Sequence, residues 1–166
     1  MTTYAELLEA YLAQPSGDSL KALRDAIQQA PNFRPDLDVA QIAAPMMQQH
    51  AYTELIASLH SMMPGAMFSP SAHAALADAF RGAGQYVQAE REEALAEAAL
   101  DSIRSTGRGS NDEPWTVLRL GDAYDLVYAS GKTPRSQVSV GRLERIVCTD
   151  GTVWFFDPSE ALARHR

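Results

Sequence analysis

The apolar positions of this chain recur with helical spacing over about the first hundred residues and then switch to strand-like alternation. Tyr4, Leu7, Leu8, Tyr11 and Leu12 fall at i, i+3, i+4, i+7 and i+8, which predicts an amphipathic helix from Tyr4 to Gln14. Pro15-Ser16-Gly17 stops it. Asp18 or Ser19 is the expected cap of a second helix carrying Leu20, Leu23, Ala26 and Ile27 on one face. Pro31-Asn32-Phe33-Arg34-Pro35 ends that helix, so the opening reads as two antiparallel helices joined by a tight turn. After Asp36, the positions Leu37, Val39, Ile42 and Ala43 suit a short helix that Pro45 interrupts. Proline is favourable at the first helical position and costly inside. Pro45 is therefore expected to start a new helix through Met47, Ala51, Leu55, Ile56, Leu59 and Met62, closed by Pro64-Gly65.

The clearest helical pattern spans residues 70–105. Pro70-Ser71 opens a helix with Leu76, Ala77, Phe80 and Ala83 on its apolar face. Gly84-Gln85-Tyr86 forms the turn, and Ala89 leads into a partner carrying Ala96, Ala99, Leu100 and Ile103. This order of a large and a small residue (Leu76-Ala77), an aromatic (Phe80), a glycine (Gly84), an aromatic (Tyr86) and a small residue (Ala89) resembles the tetratricopeptide repeat. Alanines at 77 and 89 let paired helices approach, with Leu76, Phe80 and Tyr86 expected to fill the space between them. The resemblance implies a stacked helical array whose concave face binds peptides or partner proteins.

Thr106-Gly107-Arg108-Gly109-Ser110-Asn111-Asp112-Glu113-Pro114 holds turn formers and no apolar residue, which marks a junction. Beyond it, Trp115 to Leu120 alternates as a strand, and Gly121 to Ser130 returns to helical spacing with Ala123, Leu126 and Val127 on one face. Gln137 to Val140 and Arg142 to Thr149 read as strands. Asp150-Gly151 is a hairpin signal ahead of Thr152-Val153-Trp154-Phe155-Phe156, and Ser159 to His165 suits a final helical turn. The expected fold class is α+β. Antiparallel helical hairpins over 1–105 precede a small mixed α/β domain over 106–166, built on a short antiparallel sheet. Gly107-x-Gly109-Ser110, Pro114-Trp115, Asp122 and Tyr124, Ser136-Gln137 and the Trp154-Phe155-Phe156 strand resemble the end domain of an uncharacterised bacterial family that also carries helices in front. That resemblance implies a fold and no chemistry.

Composition narrows the function classes. The chain has 166 residues, 46% hydrophobic and 21% charged, which suits an ordinary globular protein. Its lone Cys148 excludes an internal disulfide and a cysteine-based zinc site, and fits a reducing cytoplasm. No signal-peptide pattern opens the sequence and no run is long enough to span a bilayer, so a cytoplasmic location without a membrane partner is expected. Residues 1–104 carry thirteen acidic and six basic side chains, against eight of each in 105–166. An acidic helical part repels phosphate backbones, which argues against nucleic acid and for a basic protein or peptide partner.

The candidate chemistry is sparse. Gly107-Arg108-Gly109-Ser110 follows a helix and precedes a strand, the reverse of a phosphate cradle, and reads as a connecting turn. His50 and His60 stand about 15 Å apart along one helix, too far to share an ion, and neither His73 nor His165 completes a metal motif. Cys148 lies among apolar neighbours and reads as a buried, inert thiol. No nucleophile–base pattern is visible, so no catalytic residue, metal or cofactor is expected. Met46, Met47, Met62, Met63 and Met67 bracket the middle helix and suit core filling. Glu93 and Glu97 stand one turn apart; a solvated helix face is the default reading, and an acidic surface for a basic peptide is the alternative. Arg119 and Gln137, polar residues within expected strands, together with Tyr124 suit a ligand surface.

The leading expectation is a non-enzymatic interaction protein, such as a regulator or assembly factor, with the C-terminal part capping the helices. The rival is a small-ligand binder or enzyme with its site between the two parts. Homo-oligomerisation through an exposed strand or an uncovered helix flank is a third reading.

Overall fold

A computed structural model describes residues 1–159, with seven helices and four strands among them. The helices are α1 (Tyr4–Ala13), α2 (Gly17–Gln28), α3 (Val39–Gln48), α4 (Tyr52–Ser61), α5 (Pro70–Gly82), α6 (Tyr86–Arg104) and α7 (Leu120–Ala129). The strands are β1 (Trp115–Thr116), β2 (Pro134–Val140), β3 (Leu143–Cys148) and β4 (Val153–Asp157). The fold is α+β, with six helices ahead of the sheet. The helical turn expected from Ser159 to His165 falls on residues 160–165, outside the described ones.

Capping chemistry sets the helix bounds. Thr3 and Glu6 form a reciprocal capping box at the start of α1. Ser16, rather than Asp18 or Ser19, caps α2 by accepting from Ser19 N–H at 3.0 Å. Pro45 does not begin a helix. It sits inside α3, and the chain breaks later, at His50, whose φ of 55° places it in the left-handed region. There His50 N–H donates to Met47 C=O and Ala51 N–H to Met46 C=O, the paired bonds of a Schellman stop. Asp38 caps α3, so one lost amide donor at Pro45 is tolerated near the end of a short helix.

Three buried clusters form the core. The first joins α3, α4 and α5 through Val39, Ala43, Leu55, Leu59 and Leu76, with Met46, Met47, Met62 and Met63 packed against it. The second joins α1 and α2 to Phe33, Phe68, Ala99 and Leu118, with Met67 alongside. The third holds Leu100, Ile103, Val117, Leu126, Val127, Ile146, Cys148 and Phe156. Helix α6 contributes to all three, through Ala89, then Ala99, then Leu100 and Ile103. Its 19 residues span about 28 Å. Tyr86 does not fill the α5–α6 interface, because it begins α6 and stays 63% exposed. The aromatic over the hairpin is Tyr52, whose ring occupies the space a Cβ on Gly82 would need.

The sheet order is β1-β4-β3-β2. The β2–β3 and β3–β4 pairs are antiparallel as expected, but β1 runs parallel to β4, with Trp115 opposite Phe156. The expected strand Trp115–Leu120 is cut to two residues because Arg119 turns to start α7, where Asp122 accepts its backbone N–H at 3.2 Å. Between α6 and β1 the loop closes on itself through Arg108 N–H to Glu113 C=O, and Gly109 C=O accepts from Phe155 N–H. The loop is thus committed to the fold, and its amides do not converge at a helix start.

The two parts of the chain are joined by buried and part-buried polar bonds. Arg24 on α2 donates to Thr116 Oγ1 at 2.7 Å and Thr116 C=O at 3.1 Å. Arg119 Nη2 donates to Gly65 C=O and Met67 C=O, each at 2.8 Å.

Candidate interaction site

Helix α7 lies against the α5–α6 hairpin, and each helix gives one stripe of side chains to a cleft of about 360 Å³. From α5 come Ser71, Ala74, Ala77, Asp78 and Arg81, spaced at helical intervals. From α6 come Glu93, Ala96, Glu97 and Leu100, and from α7 Asp125, Tyr128 and Ala129. Alanines at 74, 77 and 96 keep the floor open, where longer side chains would close it. The result is an apolar floor with a rim of carboxylates.

Glu93 and Glu97, expected to share a surface, both line this cleft. Each meets a separate guanidinium: Glu93 Oε2 lies 3.0 Å from Arg81 Nη2, and Glu97 Oε1 lies 3.5 Å from Arg104 Nη1. These exposed pairs are screened and worth about 1 kcal/mol or less.

A second cleft, about 470 Å³, lies on the other side of α7. Asp36, Asp38 and Ala40 form one wall, and Gly121, Tyr124, Asp125 and Tyr128 the other. Ser71, Asp125 and Tyr128 line both clefts. Asp125 Oδ2 accepts the Ser71 N–H at 3.1 Å, which pins α7 to the first turn of α5. Burial pushes its carboxyl up to about 7, and the nearby Asp122 charge adds to the effect; Ser71 and Arg119 oppose it.

The other expected site residues are placed apart. Arg119 is not on a strand surface. It is 1% exposed, with its guanidinium over the Phe33 ring at 5.5 Å and Nη1 3.6 Å from Asp122 Oδ2. Burial pulls Arg119 below its usual range and pushes Asp122 above its own, each partly countered by the other. Among the described residues, its Nε and Nη1 find no hydrogen-bond partner. Tyr124 donates its hydroxyl to Gln137 Oε1, and Gln137 Nε2 donates to Glu144 Oε2 at 2.9 Å. That chain ties α7 to the sheet, so Gln137 is committed, and of the three only Tyr124 lines either of the two clefts beside α7.

The remaining candidates have structural partners. His73 Nε2 accepts the Phe68 N–H at 3.0 Å, so its Nδ1 carries the proton donated to Glu92 at 2.6 Å. Cys148 is buried, and burial pushes its thiol up. Among the described residues, no group of three or more acidic, histidine or cysteine side chains is arranged to hold a metal, and no helix is long and apolar enough to cross a membrane.

Sequence reasoning missed Ser71, Asp78, Arg81, Asp125 and Tyr128. One signal was present: Asp125 and Tyr128 are polar or amphipathic residues at i, i+3, flanking the apolar pair Leu126-Val127. No known family model matches the chain, and neither a curated protein nor a solved structure matches it.

Proposed function

We propose that this chain is a non-enzymatic protein-interaction module in the manner of tetratricopeptide-like helical repeats, acting in the cytoplasm as a regulator or assembly factor. It takes a basic segment of a partner protein in the cleft between α5, α6 and α7. The observation that carries the reading is the pairing of an alanine-lined floor with the rim carboxylates Asp78, Glu93, Glu97 and Asp125. Such a surface suits a lysine or arginine, whose aliphatic stem lies on the floor while its head meets the rim. Small helical residues and screened ion pairs support recognition of this kind.

Selection of a random peptide library on the immobilised protein tests the reading. Enriched peptides are expected to carry lysine or arginine beside an aliphatic residue. The double substitution Glu93→Gln/Glu97→Gln is expected to weaken them about tenfold, roughly 1.4 kcal/mol. Enrichment of acidic peptides, or affinities indifferent to that double substitution, would contradict it.

A further inference from the structure

The two clefts beside α7 share three lining residues, Ser71, Asp125 and Tyr128, so one reaches toward α6 and the other toward residues 36–40 from a common point on α7. The carboxylates Asp36, Asp38, Asp78, Glu93, Glu97 and Asp125 line that path; Arg81, also in the lining, pairs with Asp78 and Glu93, while Arg34 and Arg104 pair with Asp36 and Glu97 from beside it. Carboxylates still outnumber guanidinium groups along it. Asp125 stands at the midpoint, fixed by the Ser71 N–H through one carboxylate oxygen. Tyr128, 61% exposed, stands about one turn along the same helix and lines both clefts with it.

We propose that the two clefts form one continuous groove for an extended basic peptide segment, and that Asp125 is its central specificity residue, reading an arginine flanked by aliphatic side chains. The proposal rests on the interaction reading above and adds to it the path, the central residue and the preferred side chain. Arginine fits better than lysine because its planar head can bond Asp125 and lie on the Tyr128 ring together.

This carboxyl also weakens the fold. An unfolded chain ionises an aspartate near about pH 4, whereas the folded chain holds the Asp125 proton up to about pH 7. Between those values the unfolded state loses its proton first, so folding stability falls as pH rises through the window. Asparagine would accept the same Ser71 N–H without that cost. A charged residue kept where it weakens the fold at neutral pH is characteristic of binding sites.

The same titration gives binding a pH signature. A cation prefers ionised Asp125, so affinity rises with pH through about 7. The groups acting on Asp125 are Ser71, Asp122 and Arg119, and the other titratable or charged groups lining the two clefts are Asp78 and Arg81 of α5, Glu93 and Glu97 of α6, Asp36 and Asp38 before α3, and Tyr124 and Tyr128 of α7. The signature is assigned to Asp125 by its loss on substitution.

The probe is acetyl-Leu-Arg-Leu-amide, with acetyl-Leu-citrulline-Leu-amide as its neutral isostere, titrated into the full chain and followed by amide NMR shifts. The arginine probe is expected to bind about tenfold more tightly at about pH 8 than at about pH 6, following the ionised fraction. It should move amides on α5, α6, α7 and residues 36–40 together. Asp125→Asn is expected to remove the pH dependence and weaken the arginine probe several-fold at about pH 8, leaving the smaller preference over citrulline that Glu93 and Glu97 supply. Glu93→Gln/Glu97→Gln is expected to weaken the arginine probe while preserving the pH dependence. If Asp125→Asn changes neither affinity nor pH dependence while Glu93→Gln/Glu97→Gln still weakens binding, the continuous groove is overturned and the α5–α6 reading survives. If the arginine probe produces no saturable shifts, or binds no better than citrulline at either pH, both are overturned.

Discussion

Arg119 shows how far a single residue can depart from the pattern around it. In Val117-Leu118-Arg119-Leu120 an arginine at an alternating position reads as the polar face of a strand. The fold instead buries it, because its guanidinium satisfies two carbonyls more than fifty residues earlier, at Gly65 and Met67. Local periodicity has no access to such a partner. Asp122 has two roles here, accepting the Arg119 backbone N–H and facing the guanidinium at 3.6 Å. Arg119→Met removes the nearest counter-charge of that buried carboxylate, leaving only the farther Arg24, and is expected to cost about 3 kcal/mol in urea unfolding. Arg119→Met/Asp122→Asn keeps the cap and removes the orphan charge, so it should recover part of the loss. The remainder, about 1–3 kcal/mol, belongs to the two carbonyls left without a donor. Equal losses in the single and double variants would show that the ion pair does not contribute. Asp125, three residues beyond Asp122, is equally hard to see in the sequence: its elevated proton affinity follows from burial against α5, not from its neighbours in the chain.

Helices and strands are legible where the apolar period runs unbroken between turn formers. The α5–α6 hairpin, α7 and the β3–β4 hairpin lie within a few residues of their expected bounds. The departures have physical causes. A helix continues through Pro45 because Asp38 caps its start and a left-handed His50 ends it, two features that apolar spacing does not encode. Strand β1 is short because a capping interaction captures Arg119 for α7, and its parallel pairing with β4 is a long-range contact that local spacing does not encode. The loop before β1, by contrast, is legible from its glycines. Gly109 has φ of 75°, and a Cβ there would come within 2.5 Å of the Trp115 ring. Gly109→Ala is therefore expected to lower stability by about 2 kcal/mol or more, combining backbone strain with displacement of the ring. Gly17 opens α2 with no atom within 4 Å of where its Cβ would stand, so Gly17→Ala should be neutral or stabilising by up to about 1 kcal/mol. Thermal unfolding followed by circular dichroism compares the two; an equal response would remove the steric account of Gly109.

The molecule as a whole is organised around α6. That helix supplies residues to three successive cores and presents Glu93, Ala96 and Glu97 to the cleft, with Leu100 at the boundary of the two. Its acidic exposed positions are legible as a surface, because Glu93 and Glu97 are one turn apart on a helix of clear period. The opposite wall is not, since α7 comes from beyond the junction and only tertiary packing brings Asp125 and Tyr128 to α5. The edge strand β2 leaves Val138 and Val140 exposed at 52% and 43%, which makes the sheet edge the main competing surface for a partner or a second copy. Chemical-shift mapping with a library-selected basic peptide distinguishes the two most directly. Binding in the cleft predicts saturable shifts over Ser71–Arg81 of α5, Glu93–Leu100 of α6 and Asp125–Ala129 of α7, with residues 36–40 joining them. Shifts confined to Pro134–Val140 would place the partner on the sheet edge and contradict it.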